Sequence, residues 1–138
     1  MKKNKVQDWM STNPHTITAE ATIPEAHDVM KKNKVRRLPV LKNGKLIGIV
    51  TRGDVREAGP SDATSLSIYE LNYLLAKLTI ESIMTPSPIV VSPDTSLHDA
   101  ARLMLDNKIG GLPVVEGEKL VGIITESDVF RALMEIID

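Results

Sequence analysis

Apolar residues alternate along the chain between helical spacing and short continuous runs. Ile23, Ala26 and Met30 recur at three- and four-residue intervals, which places them on one helix face. The helix opens at Thr22-x-x-Glu25, a capping-box start. Two apolar runs follow, Leu38–Leu41 and Leu46–Val50, split by the hairpin-like turn Lys42-Asn43-Gly44. A second helix is expected just after Thr51, and a β-rich piece, His15–Thr18, precedes the first. The predicted order is β-α-β-β-α.

That pattern occurs twice. Displaced by 74 residues, the segment from Met10 to Val55 falls on the segment from Met84 to Val129 without a gap. Asn33-Lys34 repeats as Asn107-Lys108, Leu38-Pro39-Val40 as Leu112-Pro113-Val114, and Gly48-Ile49 as Gly122-Ile123. Thr51 matches Thr125, and Asp54 matches Asp128. In the second copy the β-rich piece is Ile89–Ser92 and the capping box is Ser96-x-x-Asp99. Leu97, Ala100, Leu103 and Met104 form its helix face, and Glu116-Gly117-Glu118 splits its apolar runs. The period is too long for a solenoid, so each copy reads as a small α/β unit.

Between the copies, Gly59–Ser65 is the only loop-like stretch. Ser67-x-x-Glu70 then caps a helix bearing Ile68, Leu71, Leu74, Leu75 and Leu78 on one side, expected to pack rather than act. A unit of about 50 residues leaves one sheet face bare, so the two copies are expected to bury those faces as a pseudo-twofold pair.

Composition narrows the function classes. The 138-residue chain is 42% apolar and 25% charged, an ordinary globular balance, and has no cysteine for disulfides, iron–sulfur clusters or Cys-ligated zinc. The N-terminal MKKNKVQDWM leads into no apolar stretch, and no run reaches membrane-spanning length, so neither a signal peptide nor a membrane is expected. The expected compartment is the cytoplasm. A net charge of −1 conceals a division: residues 1–57 carry twelve basic against six acidic residues, and residues 58–138 carry five against twelve. With Trp9, Tyr69, Tyr73 and Phe130 as the only aromatics, the basic half lacks the stacking platforms of a nucleic-acid binder. His15, His27 and His98 show no paired ligand spacing, so no metal is expected. No serine sits in a nucleophile elbow, and nothing assembles a nucleophile, a base and an oxyanion site, so the chain reads as non-enzymatic.

The chemistry concentrates at Gly48-Ile49-Val50-Thr51-Arg52-Gly53-Asp54, echoed by Gly122-Ile123-Ile124-Thr125-Glu126-Ser127-Asp128. Each segment lies where an apolar strand ends and a helix begins. A Thr hydroxyl there suits a phosphate, and a carboxylate one turn on accepts two hydrogen bonds from a ribose diol. The same Thr-x-x-Asp spacing is also a capping box and nothing more. The residues alone leave both readings open.

The x-x-Leu-Pro-Val strand, the Gly-h-h-Thr-x-x-Asp end and the duplicated β-α-β-β-α order resemble a tandem pair of CBS domains, named after cystathionine β-synthase. The resemblance places one CBS domain at residues 6–57 and a linker at 58–79, with its helix at 67–78. The second domain follows at residues 80–138. The inter-repeat helix is similar to that of small bacterial proteins of the acetoin-utilisation type. The fold class implied is α/β, with two CBS repeats packed as a Bateman module.

The resemblance implies a regulatory energy or metabolite sensor with no catalytic cofactor. Its ligand would be AMP, ADP, ATP, NAD or S-adenosylmethionine, held in two clefts between the paired sheets. Family Thr and Asp map onto Thr51 and Asp54, and onto Thr125 and Asp128 with Ser127 beside them. The residues before Leu-Pro-Val face ligand in the family; here they are Val35, Arg36 and Arg37, against Ile109, Gly110 and Gly111. The first strand lines the base, which implicates His15 and Thr16, or Ile89 and Val90. Arg36-Arg37 opposite Gly110-Gly111 implies unequal clefts, the first preferring phosphorylated ligands. The partners implied are an adenine nucleotide, a second copy in a homodimer and an unidentified regulated protein. The alternative is a ligand-free dimerisation scaffold in which Thr and Asp are only caps.

Overall fold

Helix and strand boundaries follow from local chemistry in both repeats. The computed structural model describes residues 3–59 and 66–137, so most of the Gly59–Ser65 loop expected from the sequence lies outside the described residues. In chain order the elements are a 3-10 turn at Val6–Asp8, β1 (Ser11–Thr12), β2 (Ile17–Thr18), α1 (Ile23–Asn33), β3 (Arg37–Lys42) and β4 (Lys45–Thr51). Then come α2 (Arg52–Ala58), α3 (Ile68–Lys77), α4 (Ile80–Ile83), β5 (Thr85–Pro86), α5 (Leu97–Asn107), β6 (Gly111–Glu116), β7 (Lys119–Thr125) and α6 (Glu126–Ile136). The fold is mixed α/β with the repeated order expected from the sequence.

The helix boundaries explain several of the duplicated residues. The Thr22 side chain accepts the Glu25 N–H at 3.3 Å, and the Ser96 side chain accepts the Asp99 N–H at 2.9 Å, so both capping positions start a helix. At the other ends, Lys34 and Lys108 adopt left-handed φ of 55° and 54°. The amides of Asn33 and Asn107 each donate to a carbonyl four residues back at 2.9 Å. The repeated Asn-Lys pair is therefore a helix stop. Both hairpins close through two-residue loops in which Gly44 and Gly117 take φ of +80° and +62°.

The chain divides into two compact units, and the division does not follow the sequence repeats. One unit comprises residues 15–87, and the other comprises residues 1–14 with 88–138. In the first, the sheet order is β2-β3-β4-β5, with β2 parallel to β3 and the remaining pairs antiparallel. Its core gathers Ile17, Ile23, Ala26, Met30, Leu38, Val40, Val50 and Ile80. In the second, β1 pairs antiparallel with β7, and β7 with β6. Val6, Val91, Ala100, Met104, Leu112, Val114 and Ile124 form that core. The Ile89–Ser92 piece expected as a strand is reduced to one parallel bridge, Val91 to Val114.

Each unit thus completes its sheet with a segment that the sequence repeat assigns to the other copy. Val6 N–H donates to the Thr95 carbonyl at 2.8 Å, and Ile80 N–H to the Ala21 carbonyl at 2.8 Å. These bonds are equivalent under the 74-residue displacement. The inter-repeat helix α3 starts at Ser67 as expected, but it has no buried residue; Tyr69 is 83% exposed. No described helix is long and apolar enough to cross a membrane.

Candidate functional site

Each unit brings its Thr-x-x-Asp turn against the residues that precede its Leu-Pro-Val strand. In the first unit Arg37 lies opposite Thr51 in the β3–β4 ladder, and the Arg52 N–H donates to the Arg36 carbonyl at 2.7 Å. In the second, Gly111 lies opposite Thr125, and the Glu126 N–H donates to the Gly110 carbonyl at 3.0 Å. The antiparallel ladder places these groups together, because the start of one hairpin strand must face the end of the other. His15 and Thr16 lead into β2 alongside β3, while Ile89 and Val90 lead into the Val91 bridge. Val35 and Ile109 are half-buried at the ends of α1 and α5, their N–H groups bonded to Met30 and Met104.

Both Thr-x-x-Asp turns are capping boxes in the structure. The Asp54 Oδ2 accepts the Thr51 N–H at 2.8 Å, and the Thr51 hydroxyl accepts the Asp54 N–H at 3.1 Å. The Asp128 Oδ2 accepts the Thr125 N–H at 2.8 Å and the Thr125 hydroxyl at 3.3 Å. Capping uses only one oxygen of each carboxylate. A carboxylate has about four lone-pair sites, so a cap does not by itself disqualify it as a ligand acceptor.

The remaining oxygens separate the two units. Among the described residues, the Asp54 Oδ1 has no partner, and the residue is half-buried. The Asp128 Oδ1 is held by the Arg131 guanidinium, and Asp128 is only 2% exposed. The position equivalent to Arg131 in the first repeat is Glu57, which is exposed and forms no such pair. Sequence reasoning passed over Arg131. The signal lay in the i, i+3 spacing from Asp128, which puts both side chains on one helix face.

Beside the first site lies a cavity of about 910 Å³, framed by α1, α2 and α3. Buried Ile23, Met30 and Val55 supply its apolar part, and Lys31, Lys34, Arg36, Arg52 and Arg56 its cations. Val35 and Arg36 reach this cavity, whereas Thr51 and Asp54 do not line it. The five cations align with Leu105, Lys108, Gly110, Glu126 and Phe130 in the second repeat, so the positive lining is not a requirement of the fold. The described residues contain no cluster of three or more His, Cys, Asp or Glu that would hold a metal.

Comparison with known proteins agrees with this architecture. The CBS domain model matches residues 6–61 and 80–135. The chain is 35% identical over 152 residues to the chloroplastic CBS domain-containing protein CBSX2 of Arabidopsis thaliana, covering 95% of this chain and 64% of that protein. It therefore spans less than two-thirds of that relative's length. The structure of CBSX2 in complex with AMP superposes with a TM-score of 0.80 at 34% identity, covering 98% of this chain and 99% of that one. A Vibrio cholerae protein assigned to acetoin utilization (AcuB) gives 0.78 at 32% identity, with 96% and 92% covered. The CBS domain pair of protein MJ0100, in complex with 5′-methylthioadenosine and S-adenosyl-L-methionine, gives 0.79 at 31% identity, with 96% and 97% covered. The chain belongs to the CBS domain family, and it carries two copies of the domain.

Proposed function

We propose that the chain is a non-catalytic regulatory module that binds adenosyl compounds at its two Thr-x-x-Asp turns and works as an energy or metabolite sensor. The observation that carries this reading is the free Asp54 Oδ1, set beside Thr51 and next to the Val35-Arg36-Arg37 segment. A ribose diol donates two hydrogen bonds to such a carboxylate, and a nearby guanidinium pairs with phosphate. His15 and Thr16 would face the base. In the second unit the corresponding set is Thr125, Ser127 and Asp128 with Ile109, Gly110, Gly111, Ile89 and Val90. The AMP-bound CBSX2 and the S-adenosyl-L-methionine-bound MJ0100 pair support the same ligand class. No catalytic cofactor enters this reading, which places the chain in the cytoplasm.

A thermal-shift screen against AMP, ADP, ATP, NAD and S-adenosylmethionine tests the proposal. Ligand at a hundred times Kd stabilises the folded state by about 2.7 kcal/mol, a shift of several degrees. No shift with any of the five would leave the second reading, a ligand-free dimerisation scaffold. Exposed apolar residues favour self-association under either reading: Phe130 is 61% and Met134 68% exposed on α6, and Tyr69 and Tyr73 stand exposed on α3. We read the chain as a homodimer that relays ligand occupancy to a separate regulated protein.

A further inference from the structure

The two repeats preserve the same carboxylate but leave it in different states. Every oxygen of Asp128 is engaged: Oδ2 by the Thr125 N–H and hydroxyl, Oδ1 by Arg131. Asp54 keeps Oδ1 free, because the residue one turn further along is Glu57 rather than Arg. A carboxylate at that position has no donor to offer Asp54. The capping box is common to both copies and the latching arginine is not, so the fold does not require the Asp128–Arg131 pair.

We infer that Arg131 is a specificity-determining latch, which closes the second Thr-x-x-Asp turn to a ribose diol while the first stands open. This rests on the proposed adenosyl-binding reading and adds an order of filling to it. Three hydrogen bonds leave Asp128 about one acceptor site, so a diol donating two can bind fully only if the guanidinium leaves Oδ1. The Arg131 side chain is 56% exposed, so it has solvent to swing into, whereas the carboxylate is 3% exposed and stays behind. Breaking a charge-assisted hydrogen bond to a buried carboxylate makes ligand binding about ten- to a hundredfold weaker than at an unlatched twin. Ligand therefore fills the Asp54 turn first. The Asp128 turn responds only at higher concentration, which widens the range over which one chain reports ligand.

The experiment isolates each turn and exchanges the two residues. In an Asp54→Ala background, calorimetric titration with AMP reads the second turn alone, and in Asp128→Ala it reads the first. Arg131→Glu in the former should tighten AMP binding by about tenfold or more, and Glu57→Arg in the latter should weaken it by a similar factor. Arg131→Ala serves as a second variant if the glutamate destabilises α6, since it frees Oδ1 without adding charge. AMP affinity that is unchanged or lower in both Arg131 variants overturns the latch, and a lower value would make Arg131 a ligand contact instead. If neither wild type nor any variant binds AMP or the other four adenosyl compounds, the adenosyl-binding reading itself falls and the latch with it. That outcome differs plainly from binding that ignores Arg131.

Discussion

Met10 lies over Gly122: its Sδ stands 2.8 Å from where a Cβ on that glycine would be, and the Ser11 carbonyl is equally close. Gly48 meets Met84 and the Thr85 carbonyl in the same way. Sequence alignment pairs Met10 with Met84 and Gly48 with Gly122, yet the contacts run crosswise between the copies. Gly122→Ala and Gly48→Ala should each cost about 1–3 kcal/mol, because the added methyl meets backbone carbonyl oxygen that cannot move without breaking the ladder. Thermal denaturation should show a loss of several degrees for each variant. An unchanged melting temperature would mean that the edge strand β1 or β5 is not where the structure puts it.

The same crossing gives Val6 and Ile80 distinct roles. Both are fully buried, Val6 in the core of Leu112 and Ile124, and Ile80 in that of Leu38 and Val50. Val6→Ala should accelerate amide exchange in β6 and β7, while Ile80→Ala should do so in β3 and β4. Each truncation should also destabilise by an amount typical of a buried aliphatic, about 1–4 kcal/mol. The opposite pattern of exchange would contradict the crossed assembly.

Asp54→Ala removes one half of a capping box and one ribose acceptor. Loss of the cap should cost about 1 kcal/mol of stability. Loss of two charge-assisted hydrogen bonds should cost about 2–4 kcal/mol of affinity for an adenosyl ligand at that turn. Differential scanning fluorimetry and calorimetry separate the two effects. Normal binding with a lowered melting point would leave Asp54 as a cap alone.

Arg36 is one of five cations on the cavity beside the first turn, and its counterpart is Gly110. If it pairs with phosphate, Arg36→Ala should erase most of the preference for AMP over adenosine at the Asp54 turn and leave the Asp128 turn unchanged. Calorimetry with both ligands measures that preference. Should the preference survive, Arg36 serves only to solvate the edge of its strand.

The exposed side chains of Phe130, Leu133 and Met134 on α6 predict self-association. Light scattering at micromolar concentration should give about twice the 15.1 kDa chain mass. Phe130→Asp combined with Met134→Asp should shift the population toward monomer. A wild-type monomer would remove the homodimer from the proposal.

Helix starts and hairpins depend on neighbours along the chain, and for these the sequence alone was sufficient. Thr22, Ser67 and Ser96 announce their helices because a cap bonds an N–H only three residues away. Leu38–Leu41 and Leu46–Val50 announce a hairpin because a short turn leaves the second run no partner nearer than the first. The duplication, the candidate turns at Thr51–Asp54 and Thr125–Asp128, and the family resemblance all follow from such local patterns repeated in register. What the sequence could not settle depends on which distant segment fills an edge. Residues 5–12 and 79–86 have the same pattern, and either would suit either sheet; tertiary packing alone assigned Val6 to Leu112 and Ile80 to Leu38. The spacing that latches one carboxylate is written in the sequence, but tertiary structure decided how deeply Asp128 is buried. Asp54 and Asp128 are identical in motif, and the difference lies in a side chain outside it, Arg131, brought onto Oδ1 by one turn of helix and by burial of the carboxylate beneath it.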